Sequence, residues 1–137
     1  MTEQLKTVEV VAGLVVDACG RVLATRCAPH RHGGGWEFPG GKLEAGETPA
    51  QAVQRELAEE LAIQVEAGEL LQTVEWDYPT FHLRMHCIIC RPVAGTIQLR
   101  EHTDARWLGA DELYTPDWLP ADVVVLDTLA AYLRKIR

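Results

Sequence analysis

From Val8 to Val16 the chain reads VEVVAGLVV, apolar and rich in β-branched residues, and after DACG at 17–20 a second such run, RVLATR, covers 21–26. Two strand-like runs around turn residues predict a hairpin. CAPHRHGGG at 27–35 then reads as a polar, glycine-rich loop, and WEFPGGKL at 36–43 as a short extended piece broken by Pro39, Gly40 and Gly41. From here the period lengthens. Thr48 suits a helix N-cap, Pro49 the first helical position and Gln51 the reciprocal capping-box position. At about 100° per residue Ala50, Val53, Leu57 and Leu61 share one stripe, which predicts a helix over about 49–61 with that stripe toward the core. GELLQTVEWDYP (68–79) and TFHLRMHCIICRPV (80–93) predict a long antiparallel pair turning near Pro79-Thr80, and TIQLR (96–100) and ARWL (105–108) predict shorter strands. DELY (111–114) reads as one helical turn. Val124, Leu126, Leu129, Ala130 and Leu133 predict a last helix over about 121–136, closed by the basic run RKIR. Strands with two helices around a mixed sheet make an α/β layered domain.

A chain of 137 residues is expected to form one domain, residues 1–137, with one core. Hydrophobic residues at 47% and charged residues at 24% match a soluble globular protein, and no apolar run approaches the roughly 20 residues that cross a bilayer. No membrane partner is expected. The start MTEQLKTVEV lacks the features of a secretory signal, so a cytoplasmic location is expected. Cys19, Cys27, Cys87 and Cys90 are too few and scattered for a disulfide framework. CIIC at 87–90 has metal-pair spacing, yet residues three apart on a strand face opposite ways, so core packing is the favoured reading. The net charge of −7, from 20 acidic and 13 basic residues, argues against a nucleic-acid polymer as partner.

Acidic residues concentrate in one place. Glu44 and Glu47 precede the first helix, and Glu56, Glu59 and Glu60 occupy an arc of about 100° on it. Like charges at these spacings repel by a few tenths of a kcal/mol per pair, and Arg55 is the one nearby cation on the helix. A solvated acidic face is the plain explanation. The double glycine Gly40-Gly41, which allows close backbone approach, and the extra loop carboxylates favour another: oxygen-only ligands for a hard divalent cation, magnesium or manganese. Such an ion would hold the phosphates of a small anionic substrate and lower the pKa of a bound water.

Gly41, Glu47, Arg55, Glu56, Leu57, Glu59, Glu60 and Ile63 have the spacing of the box that defines the Nudix hydrolases, and the chain resembles that family, most closely its MutT-type branch. Ala62 departs from the box, which usually has glycine there, and this puts the geometry of the helix exit in question. EFPGGK (37–42), GETP (46–49), REH (100–102) before ARW (105–107) and LPAD (119–122) extend the resemblance along the chain. It implies an α/β/α sandwich with a mixed β-sheet between helices. It also implies Mg²⁺ as cofactor, with Mn²⁺ as a substitute, and a small-molecule nucleotide as substrate, the protein being a monomer or a homodimer.

By the same resemblance Glu56, Glu59 and Glu60, with the Gly40 carbonyl, would ligate metal, and Arg55 would orient Glu47 through a bidentate pair or else form a plain surface ion pair. Glu56 is expected to act as general base. Glu101 stands where relatives supply a further ligand or base, and His102 beside it reads as a bystander. The reaction implied is attack of water on the β-phosphorus of a nucleoside triphosphate, giving a monophosphate and pyrophosphate. Phe38 and Asp122 match the base pocket. Guanine-oxidation sanitisers of this branch carry asparagine where Asp122 stands, whereas relatives resembling CTP pyrophosphohydrolases share the aspartate. Ionised, it only accepts hydrogen bonds and suits the amino group of cytosine; neutral, it also reads an oxidised purine. The expectation is hydrolysis of cytosine-type (d)NTPs, including modified ones. Removal of 8-oxo-dGTP is the alternative, and a simple helix-capping role for Asp122 stays open. A catalytically silent nucleotide-binding module would be expected to lack a box glutamate, and all are present. Trp36, Trp76 and Tyr78 read as core aromatics.

Overall fold

The computed structural model describes residues 5–136. Its strands are β1 (Lys6–Val15), β2 (Val22–Cys27), β3 (Trp36–Glu37), β4 (Gly40–Lys42), β5 (Gln64–Tyr78), β6 (Phe81–Ala94) and β7 (His102–Leu108), with helices α1 (Pro49–Leu61) and α2 (Pro120–Lys135). Single 3-10 turns lie at His32–Gly34 and Ala110–Glu112. A four-stranded mixed sheet runs β4-β1-β6-β5, with β1 and β6 parallel, and a three-stranded antiparallel sheet runs β3-β2-β7. The molecule is an α/β sandwich. The inner faces of both sheets and α2 enclose one core, centred on Leu14, Val74, Leu113 and Leu129. On the opposite side α1 seats Val53, Leu57 and Leu61 against Val11, Val15 and Ile88 in a second core.

The expected hairpin of β1 with β2 does not form. Asp17 does organise the turn, its Oδ1 accepting from the N–H of Cys19 and of Arg21 at 2.9 Å, but one bridge, Val16 to Val22, is all that joins the strands. The reason lies in β1 itself. Its residues from Val11 to Val15 are buried on both faces, the habit of a central strand, and its two edges are taken by β4 and by β6 over ten residue pairs. TIQLR is no strand either. It runs along the end of α1, where Gln98 N–H donates to Leu61 O (2.9 Å) and Arg100 Nη1 to Glu59 O (2.8 Å), serving carbonyls that the helix leaves open.

Helix α1 begins as its signals predict: Thr48 Oγ1 accepts from Gln51 N–H at 3.1 Å, and Gln51 Oε1 from Thr48 N–H at 3.0 Å. It ends on Ala62 in the left-handed conformation (φ 58°, ψ 29°), whose N–H donates to Ala58 O at 3.1 Å. The turn that glycine normally serves is thus made by alanine, at a steric cost of about 1 kcal/mol. The long pair β5–β6 turns at Pro79-Thr80 as expected. Cys87 and Cys90 are buried in the two different cores, and burial pushes both thiols up to about 12, in keeping with packing rather than metal binding.

Candidate active site

Strand β4 sets the entrance of α1 against β1 with little clearance. A Cβ at Gly40 would stand 1.9 Å from Val11 O, and one at Gly41 would stand 2.5 Å from the carboxyl carbon of Glu56. Glycine is therefore a steric requirement at Gly40, where the neighbour is backbone; at Gly41 a side chain would displace the Glu56 carboxylate, which now lies against bare backbone. Arg55 organises the other acids. Its Nε and Nη2 grip Glu47 Oε2 and Oε1 at 2.7 and 2.9 Å, a bidentate fork. Nη1 donates to Glu56 Oε1 at 2.9 Å and to Glu59 Oε2 at 3.3 Å, and Nη2 to Lys42 O at 3.1 Å. The fork, reinforced by the backbone N–H of Glu44, lowers the Glu47 carboxyl to about 2.

Glu60 has the opposite environment. Burial first, then the charges of Glu56 and Glu37, pushes its carboxyl far above the ordinary range, and its Oε2 is buried without a hydrogen-bond partner. Among the described residues no three acidic, histidine or cysteine side chains already close around a cation; Arg55 lies across Glu56 and Glu59 instead. The donor set nevertheless fits a hard divalent ion. Glu56, Glu59 and Glu60 offer oxygen alone, Glu60 Oε2 is buried without a partner, and the bare backbone of Gly41 lies close against the Glu56 carboxylate. Glu101 is ion-paired to Arg31 (Nη1 to Oε2, 3.2 Å), and its charge acts on Glu60.

Past Gly40 and Gly41 a cavity of about 480 Å³ opens between the β5–β6 turn and the start of α2. Phe38, Tyr78, Phe81, Leu83 and Met85 make its apolar wall, and Glu37 and Asp122 its acidic end. Trp36 N–H donates to Asp117 O and Leu119 N–H to Trp36 O, both at 2.9 Å, and this stitching holds the first turn of α2 beside Phe38. Phe38 stacks on Trp118 at 4.4 Å, and its N–H donates to Asp122 Oδ1 at 3.0 Å. Asp122 thus links the helix to the loop and makes no cap; α2 has no side-chain cap at all.

Asp122 is 4% exposed, and burial pushes its carboxyl up to about 8. A carboxyl raised above its unfolded value of 3.8 stabilises the fold fully below that value, and the benefit is lost as pH rises through 8. Asp122→Asn keeps an acceptor for Phe38 N–H but carries no charge. The variant is expected to melt at a higher temperature than the wild type at pH 8, the gap closing toward pH 4 in thermal scans across that range.

One residue of this region, Glu37, is not singled out by the sequence, and two others, His102 and Tyr78, read there as a bystander and as core. Glu37 lines the cavity with Oε1 taking Cys27 Sγ–H (3.1 Å) and facing His102 Nε2 (3.3 Å), and those hydrogen bonds hold its carboxyl below the usual range despite burial. His102 is no bystander: it is buried and braces Glu37. Tyr78, read as core, is a wall of the cavity, with its hydroxyl accepting from Ala121 N–H at 3.4 Å. The signal for Glu37 was its place before Phe38 in EFPGGK; nothing local marks the other two.

Residues 6–129 match the NUDIX domain. A relative from Mycobacterium tuberculosis named "Putative 8-oxo-dGTP diphosphatase 2" is 40% identical over 116 residues, 82% of this chain and 81% of its own. The Escherichia coli "CTP pyrophosphohydrolase" is 33% identical over 93% of this chain and 94% of its own. Among solved structures, the E. coli ORF135 protein superposes with a TM-score of 0.81 at 31% identity, covering 97% of this chain and 94% of that one. Family, fold and the acidic helix agree: the chain belongs to the NUDIX domain family and is a Nudix hydrolase acting on nucleotides.

Proposed function

We propose that this hydrolase cleaves nucleoside triphosphates to monophosphate and pyrophosphate with Mg²⁺ as cofactor, and that cytosine-type (d)NTPs, including modified ones, are its preferred substrates. The observation that carries the reading is continuity: the acidic face of α1 meets the base-sized cavity at Gly41, so a phosphate chain and its base have adjoining places. When bound, Mg²⁺, held by Glu56, Glu59, Glu60 and the Gly40 carbonyl, supplies Lewis-acid charge for the phosphates and acidifies a water. Glu56 would accept the proton of the attacking water; hydrolysis at the β-phosphorus breaks its bond to the α–β bridging oxygen, which leaves with the monophosphate, while the water oxygen stays on the pyrophosphate. Arg55 keeps Glu56 oriented and Glu47 locked. Glu101 is the competing candidate for the base.

Phe38 offers a ring for the base and Asp122 its polar edge. Burial pushes the Asp122 carboxyl up to about 8, and in its neutral form it presents one acceptor beside one donor. That pair matches N4–H and N3 of cytosine. It also matches N1–H and O6 of an oxidised guanine, which, with the name of the M. tuberculosis relative, favours 8-oxo-dGTP as the second reading. Comparing kcat/KM for dCTP, 5-methyl-dCTP and 8-oxo-dGTP with Mg²⁺ on one preparation decides between them. Cytosine nucleotides are expected to lead, and a preference above about tenfold for the oxidised purine, about 1.4 kcal/mol in transition-state binding, reverses the order. Release of no monophosphate from any of the three removes the reaction itself.

A further inference from the structure

The loop from 27 to 35 brings Arg31 to the seam between two cavities. One is the cavity beside Phe38 and Asp122; the other is a shallow depression of about 550 Å³ shared with Arg100, Glu101 and Thr103. Arg31 reaches both, and its Nη1 donates to Glu101 Oε2 at 3.2 Å with the two side chains 41% and 53% exposed. The backbone beneath is closed on itself. Cys27 N–H donates to Gly35 O (2.9 Å), Arg31 N–H to Ala28 O (2.8 Å) and Gly34 N–H to Arg31 O (3.1 Å), while Gly33 and Gly34 turn through left-handed φ of 67° and 77°. The backbone of the loop is thus tied by its own hydrogen bonds, whereas the Arg31 guanidinium is held to Glu101 by one exposed ion pair.

An ion pair this exposed is weakly held, because water and salt screen it. A phosphate is the better partner for a guanidinium, whose planar fork matches two phosphate oxygens and whose charge meets more than one negative oxygen. Arg31 and Lys42 line the same cavity as Gly41 and are the arginine and lysine side chains there that can meet the phosphates of a triphosphate seated in it.

We propose that Arg31 is a latch on Glu101 that the substrate opens: in the free protein it holds Glu101 aside, and on binding it passes to a phosphate and leaves Glu101 free to join the carboxylates of α1. This inference rests on the triphosphate reading above. It orders the events at the site, since the nucleotide itself makes the last carboxylate available and the free protein holds fewer ligands toward a cation.

The test is a double-mutant cycle of Arg31→Gln and Glu101→Gln. Titration calorimetry with Mn²⁺ alone and with the α,β-methylene analogue of the best triphosphate is set beside kcat and KM. Arg31→Gln is expected to tighten Mn²⁺ binding in the absence of nucleotide about threefold, in line with a weak exposed pair, while weakening the analogue at least about tenfold and raising KM more than it lowers kcat. In the Glu101→Gln background the gain for Mn²⁺ is expected to vanish and the loss for the analogue to remain. Arg31→Lys, which keeps the charge without the fork, should recover part of the analogue binding. The latch is overturned if Arg31→Gln leaves Mn²⁺ binding unchanged or weaker, if the gain persists without Glu101, as a general charge effect would, or if the analogue binds as before. Turnover by the wild type in the same preparations separates the two levels: none for any triphosphate overturns both readings, whereas normal turnover with any of those results overturns the latch alone.

Discussion

Glu56→Gln is expected to lower kcat for nucleotide hydrolysis by about 10²- to 10⁴-fold, the contribution of a positioned general base, with little change in melting temperature. The side chain is 14% exposed and rests against bare Gly41, so an amide of the same shape fits the same space. Its oxygen still accepts from Arg55 Nη1. What the amide lacks is the ability to take a proton at the working end and to offer a charged ligand to a cation. Steady-state kinetics with Mg²⁺, paired with circular dichroism and a thermal scan, measure both halves of the expectation. Turnover near the wild-type value in a folded variant would transfer the role of base to Glu101, and Glu101→Gln in the same assay would then show the larger loss.

Removal of the guanidinium at position 55 is expected to reach further, into both stability and rate. Arg55→Ala deletes the fork on Glu47 and the single donors to Glu56, Glu59 and the Lys42 carbonyl, and leaves several carboxylates facing one another without their cation. Partners that orient metal ligands typically account for about 10- to 100-fold in affinity or activity, and a loss of that size is expected here in kcat and in Mn²⁺ binding. Arg55→Lys should restore charge but not the fork, and so recover the smaller share. Melting temperature has its own pH signature. Glu47 is depressed to about 2 by Arg55, so the stability it contributes is complete above the ordinary value of 4.5 and is lost as pH falls through 2. The advantage of the wild type over Arg55→Ala in thermal scans is therefore expected to be full at pH 6 and to shrink below pH 4.5. A gap independent of pH would mean that the arginine works through packing instead.

Helix α1 was legible in the chain because everything that forms it is local: the cap at Thr48 and Gln51, the proline at its start and the apolar stripe are read within a few turns of one another. The spacing of Arg55 to the glutamates is equally local, and the fork on Glu47 follows from it. Partners distant in sequence were less readable. Strand β1 looked like half of a hairpin because its turn is good, and only the burial of both its faces, a tertiary property, sends β2 into the other sheet. TIQLR alternates as a strand does, yet the end of α1 claims its hydrogen bonds. Arg31 meets Glu101 across 70 positions, and Phe38 meets Asp122 across 84. Resemblance named Phe38 and Asp122 together, but their direct hydrogen bond, and with it the burial that raises the Asp122 carboxyl, exists only once the 117–119 segment is stitched to Trp36.

Two independent pieces of scaffold hold the two ends of the cavity. The carboxylates belong to α1 and the loop that leads into it from β4, whereas Asp122 rides on α2 and Tyr78 and Phe81 on the β5–β6 turn. On the proposed assignment of the site, reaction and choice of base are thereby uncoupled in inheritance: drift at the tip of a hairpin or the first turn of the C-terminal helix would retarget the enzyme to another nucleotide while the machinery that breaks the phosphate bond passes down untouched.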